Sequence, residues 1–292
     1  MKETNSALGK LIASMVIFGT VGVFHRWIPL PSAAVAAARG LAGAAFLLAL
    51  TAVRREKLSG GLIRRNLALL LCSGAAMGAN WIALFEAYRC TTVAAATLCY
   101  YMAPVLVILA SPLILGEKLT ARKGLCALAA LAGMVFVSGV AEGGLGGTRG
   151  ALLGLLAAAL YAAVVLMNKR MQPMPATDRS VIQLLTAGIV VLPYALLSGD
   201  GGAEPLTART VLLLATVCVV HTGLAYALYF GSVDHLPAHT LALLSYVDPV
   251  VAVLLSALLL HERLTVFTVL GAVLILGAAV MCELPEGRKA KE

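Results

Sequence analysis

Ten apolar runs follow one another along the 292-residue chain, over residues 8–25, 33–53, 67–88, 91–115, 121–140, 150–170, 180–198, 210–231, 238–260 and 266–284. Each is close to the ~20 residues that a helix needs to cross the hydrocarbon core of a bilayer. Short polar joints divide them, among them PLPS at Pro29–Ser32 and EGGLGGTRG at Glu142–Gly150. Apolar residues make up 61% of the chain and charged residues 12%, about half the charge of a soluble protein. The chain therefore reads as an all-α integral membrane protein of ten transmembrane helices. The first run reads as a retained membrane helix and not as a signal peptide.

The same pattern excludes other classes. The longest polar stretches, such as RREKLSGGLIRR at Arg54–Arg65, are too short for a separate soluble domain. There is no Gly-rich Lys-Ser/Thr loop to cradle a nucleotide phosphate, so a built-in ATPase is excluded. A membrane-embedded enzyme would need a clustered nucleophile or a metal set such as H-E-x-x-H, and none is written here. The six cysteines form no C-x-x-C pair and read as small buried side chains. No metal and no cofactor are expected. The net charge of +8 is spread over the ends of the apolar runs, which points to a membrane and away from nucleic acid.

The positions of the basic residues set the expected orientation. With the N-terminus inside, 16 of the 22 Lys and Arg fall in or beside cytoplasmic segments and five in outer loops; Arg39 alone lies deeper than the end of a run. That is a strong positive-inside bias, with both termini cytoplasmic, in the cell membrane.

One phrase occurs twice. Tyr100–Thr120 reads YYMAPVLVILASPLILGEKLT and Ser245–Thr265 reads SYVDPVVAVLLSALLLHERLT, identical at ten of 21 positions at an offset of 145. The chain thus divides into two five-helix units, residues 1–145 and 146–292. Five is odd, so the second unit enters the membrane inverted. GEKLTARK carries three basic residues where HERLTVFT carries one, as inside and outside placement requires.

Paired five-helix units, each with a mid-helix proline followed by GEKLT or HERLT, resemble the EamA-like branch of the drug/metabolite transporter superfamily. SYVDPV is similar to that family's carboxylate-proline phrase in helix nine, with Asp248 where Glu is common. Arg39 matches an arginine often seen in helix two, while His261 stands where the family usually has glycine. The resemblance implies a pseudo-symmetric secondary transporter whose cavity is lined by helices one to four of each unit, with helices five and ten peripheral. It implies export of amino acids and related small metabolites.

The residues themselves name candidates. Pro104 and Pro249 each free the carbonyl four residues back, of Tyr100 and Ser245, near mid-membrane depth. They are candidate hinges. Asp248 lies about ten residues into helix nine, roughly 15 Å deep at about 1.5 Å per residue. A charge there costs about 2.5–3.5 kcal/mol, and burial disfavours it, so Asp248 is a candidate proton carrier or amine site. His221 is similarly deep and titratable. Asn80 and Trp81 form a polar-aromatic pair aligned with Ala225 and Tyr226; Trp81 offers a face to a cation or serves as an interfacial anchor. Tyr101, Tyr226 and Tyr246 supply hydroxyls for substrate. Glu86 is a candidate gate, or the partner of Arg89, Arg26 or Arg39. Arg39, six residues into its run, is shallow enough to snorkel outward, and is a candidate gate or carboxylate site. Thr120 and Thr265 read as helix N-caps, with Glu117 and Glu262 in the turns before them. Gly74-x-x-x-Gly78 and Gly150-x-x-x-Gly154 read as close-packing sites.

The expected activity is proton- or gradient-coupled export by alternating access, with a small-molecule substrate, the lipid bilayer and protons as partners, in a monomer or homodimer. The alternatives are import of a small organic cation such as a choline-like amine, and a passive facilitator.

Overall fold

The computed structural model describes residues 2–116, 120–137, 147–197, 206–233, 235–236 and 238–283, and among these every regular element is helical. Within the described residues, each of the ten apolar runs is helical over most of its length. The elements are α1 (Lys2–Trp27), α2 (Ser32–Val53), α3 (Gly60–Cys90), α4 (Val93–Tyr100), α5 (Ala103–Leu115), α6 (Ala121–Val137), α7 (Thr148–Arg170), α8 (Ala176–Leu197), α9 (Ala208–Cys218), a π-helical turn at Val219–Leu224, α10 (Ala225–Val233), α11 (Ala238–Ser245), α12 (Val247–Leu259) and α13 (Val266–Glu283). Among the described residues, seven helical stretches are long and apolar enough to cross a membrane. Leucines such as Leu113 and Leu197 stand almost fully exposed. Faces like these would be a liability in water and suit a lipid surround.

The two prolines do more than kink. Pro104 sits in the first turn of α5, and the helix before it ends at Tyr100. Pro249 sits in the first turn of α12, just after α11 has ended at Ser245. A proline in the first turn lacks only an N–H that would have no helical partner anyway. Each apolar run is therefore two helices joined at a tyrosine. The joints match: Tyr101 has φ −71° and ψ 5°, Tyr246 φ −76° and ψ −5°.

Helix pairing follows one rule. α2 packs along α8, and α6 along α13. α3 packs along α7 as α1 does along α10, and α5 along α7 as α12 does along α1. Shifting both partners of any of these six pairs by 145 residues gives the pair itself or another of the six. Small residues allow the close crossings. A Cβ on Gly40 would lie 2.5 Å from the backbone nitrogen of Gly188, and one on Gly271 would lie 2.6 Å from the carbonyl oxygen of Gly133. Gly74 and Gly78 meet α8, and Gly150 and Gly154 meet Thr91 and Cys99, so both expected small-residue motifs are packing sites.

The turns bear out the expected caps. Thr120 Oγ1 accepts from the Lys123 N–H at 3.4 Å and Thr265 Oγ1 from the Thr268 N–H at 3.2 Å. Gly116 has φ +71° and its counterpart His261 has φ +53°. The turn thus keeps its left-handed shape without glycine, histidine being one of the side chains that tolerate it better than most. Glu117 and the joint at Gly146 lie outside the described residues. One expectation fails: Cys72 is exposed, unlike the buried Cys99, Cys126 and Cys218. It sits on the face of α3 that carries the exposed Leu67 and Leu71.

Candidate functional site

The two broken runs meet at their joints. Tyr101, from the first break, donates its hydroxyl to Asp248 Oδ2 at 2.8 Å. The same hydroxyl lies 3.3 Å from the carbonyl oxygen of Ser245, the last residue of α11. Tyr101 and Tyr246 bring their rings to 6.2 Å, Tyr100 stands edge-on to Tyr101 at 6.0 Å, and Tyr161 is 5.6 Å from Tyr100. A carboxyl is thus held among four tyrosines at the crossing of the two breaks. A Cβ on Gly19 would lie 2.6 Å from the Asp248 carbonyl oxygen, so α1 presses on this point from the third side.

His221 and Thr222 occupy the π turn, a geometry in which one extra residue per turn is often found at functional sites. His221 Nε2 lies 2.7 Å from Thr20 Oγ1, and Nδ1 lies 3.3 Å from the Thr216 carbonyl oxygen. The Thr20 hydroxyl also reaches the Ile17 carbonyl at 2.7 Å. A neutral imidazole brings one N–H, so either tautomer forfeits one of these three bonds. The doubly protonated ring makes all three. Phe24 covers the ring at 4.7 Å.

Arg39 does not snorkel. It is 5% exposed, with its guanidinium carbon 4.6 Å over Trp81 and 5.5 Å from the Phe85 ring centroid. Its Nε donates to Thr222 Oγ1 at 3.1 Å. The reason is the crossing of α2 with α8 at Gly40, which turns this face of α2 into the bundle. Trp81 is consequently no interfacial anchor: it is buried, and the cation against it is the protein's own. Asn80 is fully buried and donates to the Ala157 carbonyl, which ties α3 to α7, while its Oδ1 has no hydrogen-bond partner among the described residues. Tyr226 lies edge-on to Phe18 at 5.5 Å. Glu86 pairs with Arg89 at 3.8 Å on a part-exposed helix end. Arg26 turns instead to the Tyr88 and Thr91 carbonyls.

The structure thus joins Tyr101, Tyr246, Asp248, Pro104 and Pro249 in one cluster, and sets His221, Arg39 and Trp81 around the π turn. Asn80 and Glu86 stand apart from both clusters. A small surface recess lies between the C-terminal end of α2, Thr177 and Ala227. It is lined by Leu47, Leu50, Thr51 and Arg54 and by none of the candidates. Sequence reasoning missed Thr20, Thr222 and the link from Gln183 to Ser73 and Asn168, both at 2.7 Å. It also missed the reach of Glu262, whose carboxylate accepts the Val93 N–H at 2.9 Å and so caps α4 across the two halves. Most join positions far apart in sequence with no local signal; only the recurrence of GEKLT as HERLT pointed toward Glu262.

A bundle whose described elements are helical, with exposed leucines outside and polar groups gathered on broken interior helices, is that of a multi-pass membrane protein. The EamA-like transporter family model matches residues 5–139 and again 148–283, and the chain belongs to that family. A curated relative, an uncharacterized transporter YxxF of Bacillus subtilis (strain 168), is 29% identical over 201 residues. That match spans 66% of this chain and 63% of the relative's length. A crystal structure matches over 95% of this chain and 96% of its own at a TM-score of 0.64 and 18% identity, a likeness of fold alone.

Proposed function

We propose that this protein is a secondary active transporter that exports small metabolites, amino acids or related compounds, by alternating access coupled to protons. In this reading ten spans form two inverted five-helix repeats, residues 1–145 and 146–292, with both termini in the cytoplasm and the bundle in the cell membrane. The observation that carries it is the hydrogen bond from Tyr101 to Asp248, made where two interrupted helices from different halves of the chain meet. Irregular backbone at membrane depth is tolerated where it is buried in protein or lines a cavity, and an intramembrane carboxyl is by default a functional group. Asp248 holds a proton while Tyr101 closes over it and yields it when the halves rock apart. His221, with one more acceptor than a neutral ring can satisfy, is the second proton station. Tyr246 and Tyr226 offer hydroxyls to the substrate, and the breaks at Pro104 and Pro249 are where the halves bend.

Reconstituted protein in liposomes with an imposed pH gradient tests this. Wild type accumulates one of a panel of radiolabelled amino acids against its gradient, and Asp248→Asn does not. Flux that ignores the pH gradient, in wild type as in the variant, overturns the reading in favour of a facilitator.

A further inference from the structure

Arg39 carries a buried charge that no described carboxylate neutralises. Among the described residues no carboxylate lies within ion-pair distance of it, since the ion pair formed there joins Arg89 to Glu86. Asp248 is engaged by Tyr101, and the buried Asp178 accepts the Ser59 N–H at 2.9 Å. Aromatic faces and one hydroxyl stabilise a cation but do not balance it, and a buried charge without its opposite is costly. Arginine has five N–H donors. Nε is spent on Thr222, and the two terminal nitrogens make no hydrogen bond to any described residue.

The orientation of that fork is built. Thr222 donates its hydroxyl to the Val217 carbonyl, five residues back, at 3.1 Å, a bond that only a π turn provides. With its proton committed, the Thr222 oxygen faces Arg39 as an acceptor. Its methyl group fills the space over Gly43, where a Cβ would come within 2.5 Å. Holding arginine by Nε leaves its two terminal nitrogens side by side, the geometry that matches a carboxylate in two parallel hydrogen bonds.

We propose that Arg39 is a binding group for a carboxylate, that the transported substrate carries one, and that Thr222 in the π turn is the positioning residue that aims it. This deepens the transport reading by naming a substrate class, and rests on it only for the word transported.

Trp81, under the guanidinium, is the reporter. The chain has two tryptophans, so Trp27→Phe leaves Trp81 alone. Purified protein in detergent is titrated with sodium benzoate and, separately, with benzamide, at constant ionic strength and pH. The expected result is a saturable change in Trp81 emission with benzoate and none with benzamide. Arg39→Gln removes the response, and Arg39→Lys weakens it. Thr222→Val raises the half-saturating benzoate concentration by about 2- to 10-fold, the range of one hydrogen bond, and Thr222→Ser restores it. Equal responses to benzoate and benzamide, a benzoate response that survives in Arg39→Gln, or no saturable response in wild type overturns the proposal. A benzoate response without proton-driven flux in liposomes would refute the transport reading and leave the carboxylate site standing. Proton-driven flux of a cation with no benzoate response would do the reverse.

Discussion

Asp248 and Tyr101 show what a single polar contact does at membrane depth. The carboxyl sits where charge is costly, and its one side-chain partner comes from the other half of the chain. Tyr101→Phe removes that partner, together with the hydroxyl's longer contact to the Ser245 carbonyl, and keeps the ring. Proton-driven flux is expected to fall by about 2- to 10-fold, the range of one hydrogen bond, whereas Tyr194→Phe, on an exposed face of α8, leaves it unchanged. An equal loss in both variants would count against a special role for Tyr101. Depth made Asp248 and His221 legible in the sequence, because an ionisable residue within an apolar run needs no alignment to stand out. The environment of Arg39 was not legible. Its depth alone favoured snorkelling, and what holds it inside is a partner 183 positions away together with the crossing of α2 and α8.

At the scale of elements, the prolines announced the breaks, and the offset of 145 announced that there are two. The π turn gave no sign, since its sequence VVHTGL carries no breaker before its glycine. Two predictions belong here. His261 is held in the left-handed region, which costs an L-residue roughly 1–2 kcal/mol, more than the roughly 0.4–1 kcal/mol that glycine adds to the entropy of the unfolded chain. His261→Gly is therefore expected to raise the melting temperature in detergent, and His261→Val to lower it; the opposite order would contradict the turn. Gly40→Leu puts a side chain where the α8 backbone already lies. It is expected to destabilise the bundle by about 1–3 kcal/mol, seen as a lower melting temperature, whereas Gly9→Leu meets open space and leaves it unchanged.

At the scale of the molecule, apolar runs, basic residues and one repeated phrase suffice to draw the bundle, since lipid leaves a chain few choices. The polar contacts that knit the halves, from Thr20 to His221 and from Val93 to Glu262, depend on which helix lies beside which, and no local pattern encodes that. The helix pairing repeats under exchange of the halves, as duplicated units require. Whether those units lie upside down to one another is decided most directly by accessibility. Single cysteines, placed near residue 6, near residue 146 and near residue 288 in a chain otherwise free of cysteine, are labelled in intact cells with a membrane-impermeant maleimide. Inverted five-helix units predict labelling at 146 alone, with the other two reached only after the cells are opened. Labelling of all three from the same side would contradict the inversion and with it the alternating-access route through Asp248.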